Sequence, residues 1–350
     1  MNIAIIIVTR NHLRDMQECL PSLAAQTRLD FTILVSDNGS EDGTADWVRR
    51  EYPAVQVVEN RANLGFAEGS NVGLRWALAA GARHVVLLNP DTVVDPRWLE
   101  ELVRSAEADE TIGVCQSKIY RYPASTPPVI NTVGNRLHYT GVGWCGHLDE
   151  VDRGQFAEDV EIPYASGAAM LVKAEVVRDI GLLDADLFMY HDDLDWSVRA
   201  RLRGHRIVLS AQSVVYHRYD FRRNGTSGAG KFFFLERNRL IWLCKTHRAS
   251  FLLLILPALL AMEGAVLYYA LVGGWLGAKL RSYADFLRLN RRWRATRRTI
   301  QSTRTVSDKS LVAAFNSRLS VPDAGDSTLF RLANVLFHWY WKLCLRFVQE

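Results

Sequence analysis

Apolar runs and polar stops alternate along the first part of the chain. Residues 3–8, 31–35, 55–59 and 85–88 are apolar runs of strand length. Between them, residues 16–26, 44–51 and 67–80 repeat apolar positions at helical spacing. This alternation predicts an α/β fold, a mostly parallel sheet with helices on both faces. Val85-Val86-Leu87-Leu88 is apolar at every position, as a strand buried on both sides requires. Asn89-Pro90-Asp91 ends it, because proline cannot donate to a sheet ladder.

Each strand delivers polar residues to one edge of the sheet, where open α/β folds bind ligands. The set is Thr9, Asp37, the loop from Asn60 to Asn63, and Asp91. A carboxylate at Asp37 can accept from a base imide or a ribose hydroxyl, and Gly39 and Gly65 let a ligand come close to the backbone. A single carboxylate after a strand can equally be a turn residue or a cap. Four polar stops on one edge weigh against that reading. The chain has no GxGxxG after the first strand and no GxxxxGK(S/T), which speaks against a dinucleotide fingerprint and a P-loop.

Further on, residues 96–106 read as a helix and 113–119 as a strand. Residues 121–161, with Pro123, Pro127 and Pro128, read as an irregular insertion or loop. Small residues at 164–169 lead into an apolar run. The segment Tyr190-His191-Asp192-Asp193-Leu194-Asp195-Trp196 is a second chemical centre. Three carboxylates in four positions repel one another, so they need a cation, a partner or a chemical role. Capping the helix expected at 196–202 is the simpler alternative. A strand-like run ends at His217. Arg222, Arg223 and Lys231 flank a Gly-rich stretch, either a solvated loop or one able to close over phosphates.

Composition narrows the classes. The 350 residues are 49% hydrophobic and 23% charged, as in a globular chain, and a net charge of +4 does not suggest a nucleic-acid partner. Five scattered cysteines without a CxxC pair argue against zinc and a disulfide framework, and for a reducing compartment. The apolar start lacks a basic leader and a cleavage site, so a first strand is expected rather than a signal peptide.

Four segments resemble, in order, the motifs of family 2 glycosyltransferases. They are Ile7-Val8-Thr9-Arg10-Asn11, Ser36-Asp37-Asn38-Gly39-Ser40, Asn63-Leu64-Gly65-Phe66-Ala67 with Asn71, and Leu88-Asn89-Pro90-Asp91. The Asn-Pro-Asp form is similar to the branch of bacterial rhamnosyltransferases that build cell-surface polysaccharides. The resemblance implies a GT-A fold, a Rossmann-like sheet that binds a nucleoside-diphosphate sugar. It implies donor contacts from Thr9, Arg10, Asn11, Asp37, Asn38, Asn63, Gly65, Asn71, Asn89 and Asp91. It also implies a divalent cation, Mg or Mn, held at Asp91, with neutral Asn89 where the family usually has a first carboxylate. The family's Glu-Asp-x-Asp segment corresponds to Asp192-Asp193-Leu194-Asp195. Asp193 is then the expected general base of an inverting hexosyl transfer, with Asp192 as the alternative. His217 stands where some members place a metal-binding His, and a structural His is the alternative.

The expected organisation is a catalytic domain over 1–245 and a helical region over 246–350. The catalytic domain divides into a nucleotide half at 1–95 and an acceptor half at 96–245. Residues 249–278 contain one ionisable group, Glu263, and 281–304 contain eight arginines. Pro257 and Glu263-Gly264 interrupt the apolar run, so a re-entrant or in-plane hairpin on the cytoplasmic membrane face is expected, with the arginines on anionic headgroups. A buried helical subdomain or an oligomer interface is the alternative. The acceptor expected is a saccharide or a polyprenyl-diphosphate-linked glycan. No Gln-x-x-Arg-Trp motif of processive synthases occurs. Two other function classes remain at this point: a non-catalytic nucleotide-binding membrane scaffold and a nucleotidyltransferase.

Overall fold

A computed structural model describes residues 2–218, 228–320 and 328–348. The chain divides into two compact units. The first comprises residues 1–135, 145–200 and 205–220, and the second 136–144, 201–204 and 221–350.

The first unit begins β1 (Ile3–Thr9), α1 (Leu13–Ala24), β2 (Phe31–Asp37), α2 (Thr44–Glu51), β3 (Gln56–Glu59), α3 (Gly65–Ala79) and β4 (His84–Leu88). Every strand and helix expected in this part is present. Then follow β5 (Thr92–Val94), α4 (Trp98–Glu107), β6 (Ile112–Arg121), β7 (Ile130–Thr132), β8 (Asn135–Leu137), β9 (Gly143–Cys145) and β10 (Val160–Glu161), of which β8 and β9 fall mostly in the 136–144 segment of the second unit. The stretch read as irregular thus carries short strands. β11 (Ala169–Lys173), α5 (Ala174–Ile180), a 3-10 turn (Ala185–Leu187), α6 (Asp192–Leu202) and β12 (Arg206–His217) complete the series.

The main sheet runs β10-β12-β6-β11-β4-β1-β2-β3, with β5 on β12 and β7 on β6. β3, β2, β1 and β4 are parallel. β11 lies antiparallel between β4 and β6. Ile3, Ile5 and Ile7 face one core with Met16, Leu20, Trp98 and Leu102. Ala4 and Ile6 face the other with Leu74, Ala77, Val176 and Val177. The central strands are apolar throughout because both their faces are covered.

Two pairings shape the ligand edge. β5 turns back from the Asn89-Pro90-Asp91 stop and pairs with the end of β12, placing His217 opposite Thr92. Asn89 N also donates to Ala168 O (2.9 Å), which ties the same stop to the entrance of β11.

The second unit contains α7 (Gly228–Thr246), α8 (Ala249–Leu254), α9 (Leu256–Val272), α10 (Leu276–Arg288), α11 (Asn290–Thr303), α12 (Asp308–Val312) and α13 (Thr328–Cys344). Three expectations change here. α7 starts at Gly228, so Lys231 is helical rather than part of a loop, and Glu236 sits inside the same helix. Because α7 packs on α10 and α11, it belongs with the helical unit, although a boundary at 245 was expected. α9 runs unbroken through Glu263-Gly264, with Pro257 in its first turn, where a missing N–H costs nothing. The chain turns at Gly273-Gly274 instead, so no hairpin is centred on Glu263. Arg222 and Arg223 lie outside the described residues.

Glu263 is drawn inward by partners remote in sequence. It pairs with Arg239 and with Lys279 (2.8 Å), and accepts from the Tyr283 hydroxyl. Glu236 completes the group, 2.8 Å from Arg239 and also bonded to Lys279. Two cations and two anions cancel, which is what makes burial of four charges tolerable. Burial raises the Glu236 carboxyl, but Arg239 and Lys279 more than offset it and hold it at about 2.

Candidate active site

Asp37 ends β2, and its carboxylate organises the next turn. Oδ1 accepts from Gly39 N (2.9 Å) and Ser40 N (2.7 Å). Oδ2 is buried and has no partner among the described residues. The Thr9 hydroxyl, at the end of β1, is buried and unpartnered in the same way. Such atoms are costly unless a ligand completes them. Asn11, at φ +58°, has its Oδ1 filled by Glu41 N (2.7 Å), and Arg10 is exposed.

The other asparagines brace the backbone. Asn38 donates to Gly65 O (2.9 Å) and accepts from Asn60 (2.9 Å). Asn63 Oδ1 accepts from Gly65 N (3.0 Å), just ahead of the α3 amides. Asn71 donates to Leu183 O and accepts from Leu183 N, both at 3.0 Å, so its amide is committed to the segment leading to the acid loop.

Asp91 meets His217. Its Oδ1 lies 3.2 Å from His217 Nε2, and Asn89 Nδ2 is 3.4 Å from the same nitrogen. His217 Nδ1 is 3.1 Å from Asn131 Oδ1, so Nδ1 carries the proton and Nε2 turns its lone pair toward the carboxylate. Two acceptors facing each other call for a cation, or a second proton, between them. Burial pushes the Asp91 carboxyl up, but the charge and hydrogen bond of His217 outweigh it and the net direction is down. One carboxylate oxygen, one imidazole nitrogen and a neutral amide suit a divalent ion that takes its other ligands from a diphosphate. Among the described residues no cluster of three or more His, Cys, Asp or Glu could hold a metal alone.

Asp192 and Asp193 open α6. Asp193 accepts from Gly167 N (3.0 Å) through Oδ2 and from Leu194 N (2.7 Å) through Oδ1. Burial raises its carboxyl, and the two amides oppose the rise. Asp192 Oδ2 is buried without a partner among the described residues, and burial followed by the Asp193 charge raises that carboxyl well above the ordinary range. Asp195 is different: it pairs with Arg199 (3.0 Å), whose guanidinium also holds Ile180 O and Leu182 O. It anchors the helix, so two carboxylates remain for chemistry. Gly167 neighbours Ala168, which bonds Asn89, so Gly167, Ala168, Asn89 and Pro90 link the Asp193 and Asp91 centres.

The loop before the pair is strained. Phe188, Tyr190 and His191 have φ of +64°, +64° and +60°. It is held from the donor side, where Phe188 O accepts from Ala67 N (3.1 Å). A Cβ on Gly65, itself at φ +74°, would lie 2.4 Å from Phe188 O, so only glycine fits there.

Sequence reasoning missed Asn131 and His12, and placed Gly167 in the small-residue segment at 164–169 without its bond to Asp193. His12 bonds Asp15 (2.8 Å), and that bond and the Asp91 charge help raise its pKa. Its signal was its place directly after the first polar stop. Nothing in the sequence marked Asn131.

One edge of the mostly parallel sheet thus gathers an open carboxylate, a carboxylate–imidazole pair and a buried acid pair. Residues 4–181 match the family model described as Glycosyl transferase family 2, and the chain belongs to that family. A relative from Mycobacterium tuberculosis, N-acetylglucosaminyl-diphospho-decaprenol L-rhamnosyltransferase, is 24% identical over 69% of this chain and 84% of its own length. The dTDP-rhamnosyl transferase RfbF of Shigella flexneri is 22% identical over 57% of this chain and 62% of its own. The GT-A fold is shared with solved structures. TarS 1-349 of S. aureus in complex with UDP has a TM-score of 0.55 at 16% identity, covering 99% of this chain and 90% of that one. The mannosyltransferase PcManGT of Pyrobaculum calidifontis, in complex with GDP-Man and Mn2+, has a TM-score of 0.52 at 20% identity, covering 89% and 85%. The chain is a glycosyltransferase, and the scaffold and nucleotidyltransferase readings fall away.

Proposed function

We propose that this glycosyltransferase moves a sugar from a nucleoside diphosphate to a saccharide or polyprenyl-diphosphate-linked acceptor with inversion at the anomeric carbon. The observation that carries the reading is the convergence on one sheet edge of the Asp91–His217 pair and the Asp192–Asp193 pair. The names of the rhamnosyltransferase relatives make rhamnose on a thymidine-diphosphate donor the first candidate, and the decaprenol-linked substrate of one supports a lipid-linked acceptor.

Asp37 Oδ2 and the Thr9 hydroxyl are the unfilled groups that would take the nucleoside. Asp193 removes the proton of the acceptor hydroxyl as that oxygen attacks the anomeric carbon. The bond to the diphosphate breaks with its electron pair leaving on the opposite face. The amides of Gly167 and Leu194 fix the Asp193 carboxylate, and burial makes it a stronger base than an exposed one. Asp91 and His217 would hold Mg or Mn, which neutralises charge on the departing diphosphate.

A screen of nucleotide sugars for nucleoside-diphosphate release, with a polyprenyl-diphosphate saccharide present, tests this. Release that requires the acceptor, with an inverted linkage in the product, is the expected result. Retention of configuration would remove the single-displacement mechanism, and release from no donor would remove the substrate assignment.

A further inference from the structure

The second unit is packed inside out. The one ionisable side chain of α8 and α9, Glu263, is turned inward onto Arg239 and Lys279, and Lys279 is wholly buried. What remains outside on these helices is uncharged: Leu253, Leu256, Leu260, Tyr268, Leu271 and Val272 are exposed, Leu260 at 64% and Tyr268 at 66%. α13 repeats the arrangement. Its inner face carries Trp341 and Cys344, yet Leu329, Leu332, Leu336, Trp339 and Leu343, spaced by three and four, form an exposed stripe. In water a helix buries such a stripe. The two exposed faces adjoin, because Tyr340 bonds Leu254 O (2.7 Å) and Leu253, Leu254 and Phe347 line one shallow pocket.

The same unit also exposes many cations. On α10, Leu280 and Leu287 are exposed beside Arg281, and α11 exposes Arg291, Arg294 and Arg298. Arg297, by contrast, is used internally, bonding the carbonyls of Cys244 and His247 at the end of α7. Among the described residues no helix is long and apolar enough to cross a membrane. The 17 residues of α9 reach about 25 Å, short of a ~30 Å hydrocarbon core.

We infer that the outer faces of α8, α9 and α13 dock in the plane of a lipid bilayer, with Arg281, Arg291, Arg294 and Arg298 on anionic headgroups. Charge selects this occupant. A second copy on the same faces would bring two arginine-rich surfaces together, whereas anionic lipid complements them. An exposed apolar face on helices too short to span, in a unit rich in exposed cations, matches an interfacial helix. The inference touches the proposed function at one point, the lipid-linked acceptor, but vesicle binding needs neither donor nor acceptor, so either can fail alone.

The test is sedimentation of the full chain with vesicles of phosphatidylcholine alone or enriched in phosphatidylglycerol, alongside light scattering of the lipid-free protein. Expected is partition favouring anionic vesicles, with the preference shrinking as salt is added. The double variant Leu260→Glu, Leu336→Glu should lose about tenfold or more of the binding on both vesicles. The triple variant Arg291→Gln, Arg294→Gln, Arg298→Gln should lose only the anionic preference. Thermal unfolding of each variant, unchanged from the parent, shows that binding and not folding was altered. Absence of vesicle binding would overturn the inference, and a stable dimer that the Leu260→Glu, Leu336→Glu pair dissociates would assign the faces to a second copy.

Discussion

Asp91 and Asp192 are both buried carboxylates on one sheet edge, and the protein treats them in opposite ways. Asp91 faces the imidazole of His217, and that interaction favours its ionised form despite burial. Asp192 is given another carboxylate, so its ionised form is opposed twice, by burial and by Asp193. One centre is ready to hold positive charge and the other to accept a proton. Like groups acquire different chemistry from their neighbours: His217 reaches Asp91 through the β5–β12 pairing, whereas Asp193 is next to Asp192 in the chain and is itself fixed by Gly167 at the entrance to β11.

The sharpest way to break this contrast is Asp193→Asn. Loss of the base should lower kcat about a thousandfold, with nucleoside-diphosphate affinity by calorimetry unchanged. Asp192→Asn should cost far less, and the reverse order would exchange their roles. Next in size, Asp91→Asn should reduce transfer about a hundredfold and make the remainder insensitive to added Mn. Equal activity of the parent chain in chelator would remove the cation from this centre. His217→Ala, and more mildly Asn131→Ala, should raise the Mn concentration for half-maximal rate by about 10–100-fold while leaving kcat at saturating Mn nearly intact.

The smallest effect separates the centres by sign. Asp91 has a lowered folded pKa, so it adds stability above the unfolded value of about 3.9, lost as pH falls through its folded value. Asp192 has a raised folded pKa, so it removes stability as pH rises from that unfolded value through its folded one. Asp192→Asn should therefore stabilise the chain by about 1 kcal/mol near neutrality and by nothing below about pH 4. Asp91→Asn should destabilise it near neutrality, measured by thermal unfolding across the same pH range. The rate of the parent should also fall with acid at a pH above that of an ordinary carboxylate, because Asp193 must be ionised to act.

Strands and stops were readable from the sequence because a doubly buried strand must be apolar throughout and a ligand edge must then be polar. That logic located Asp37 and Asp91. The neighbours that set their chemistry were harder to read. Asn131 lies in the stretch taken as irregular, and it matters only because β7 pairs with β6 beside the end of β12. Asp195 read only as one of three repelling carboxylates, although the four-residue spacing to Arg199 is the mark of a helical ion pair. Glu263 looked like a break in an apolar run because its partners, Arg239 and Lys279, are 24 and 16 residues away.

The contact between Gly65 and Phe188 has a practical consequence for engineering. The start of α3 touches the acid loop by its backbone, with no space for a side chain. A chimera that joins this donor half to a relative's acceptor half inherits the carboxylates but not their register. Crossovers between β4 and the acid loop should fail unless the glycine and the loop are transplanted together, whereas exchange of residues 138–158 leaves that joint untouched. The donor side and the base are, for the purposes of recombination, one cassette.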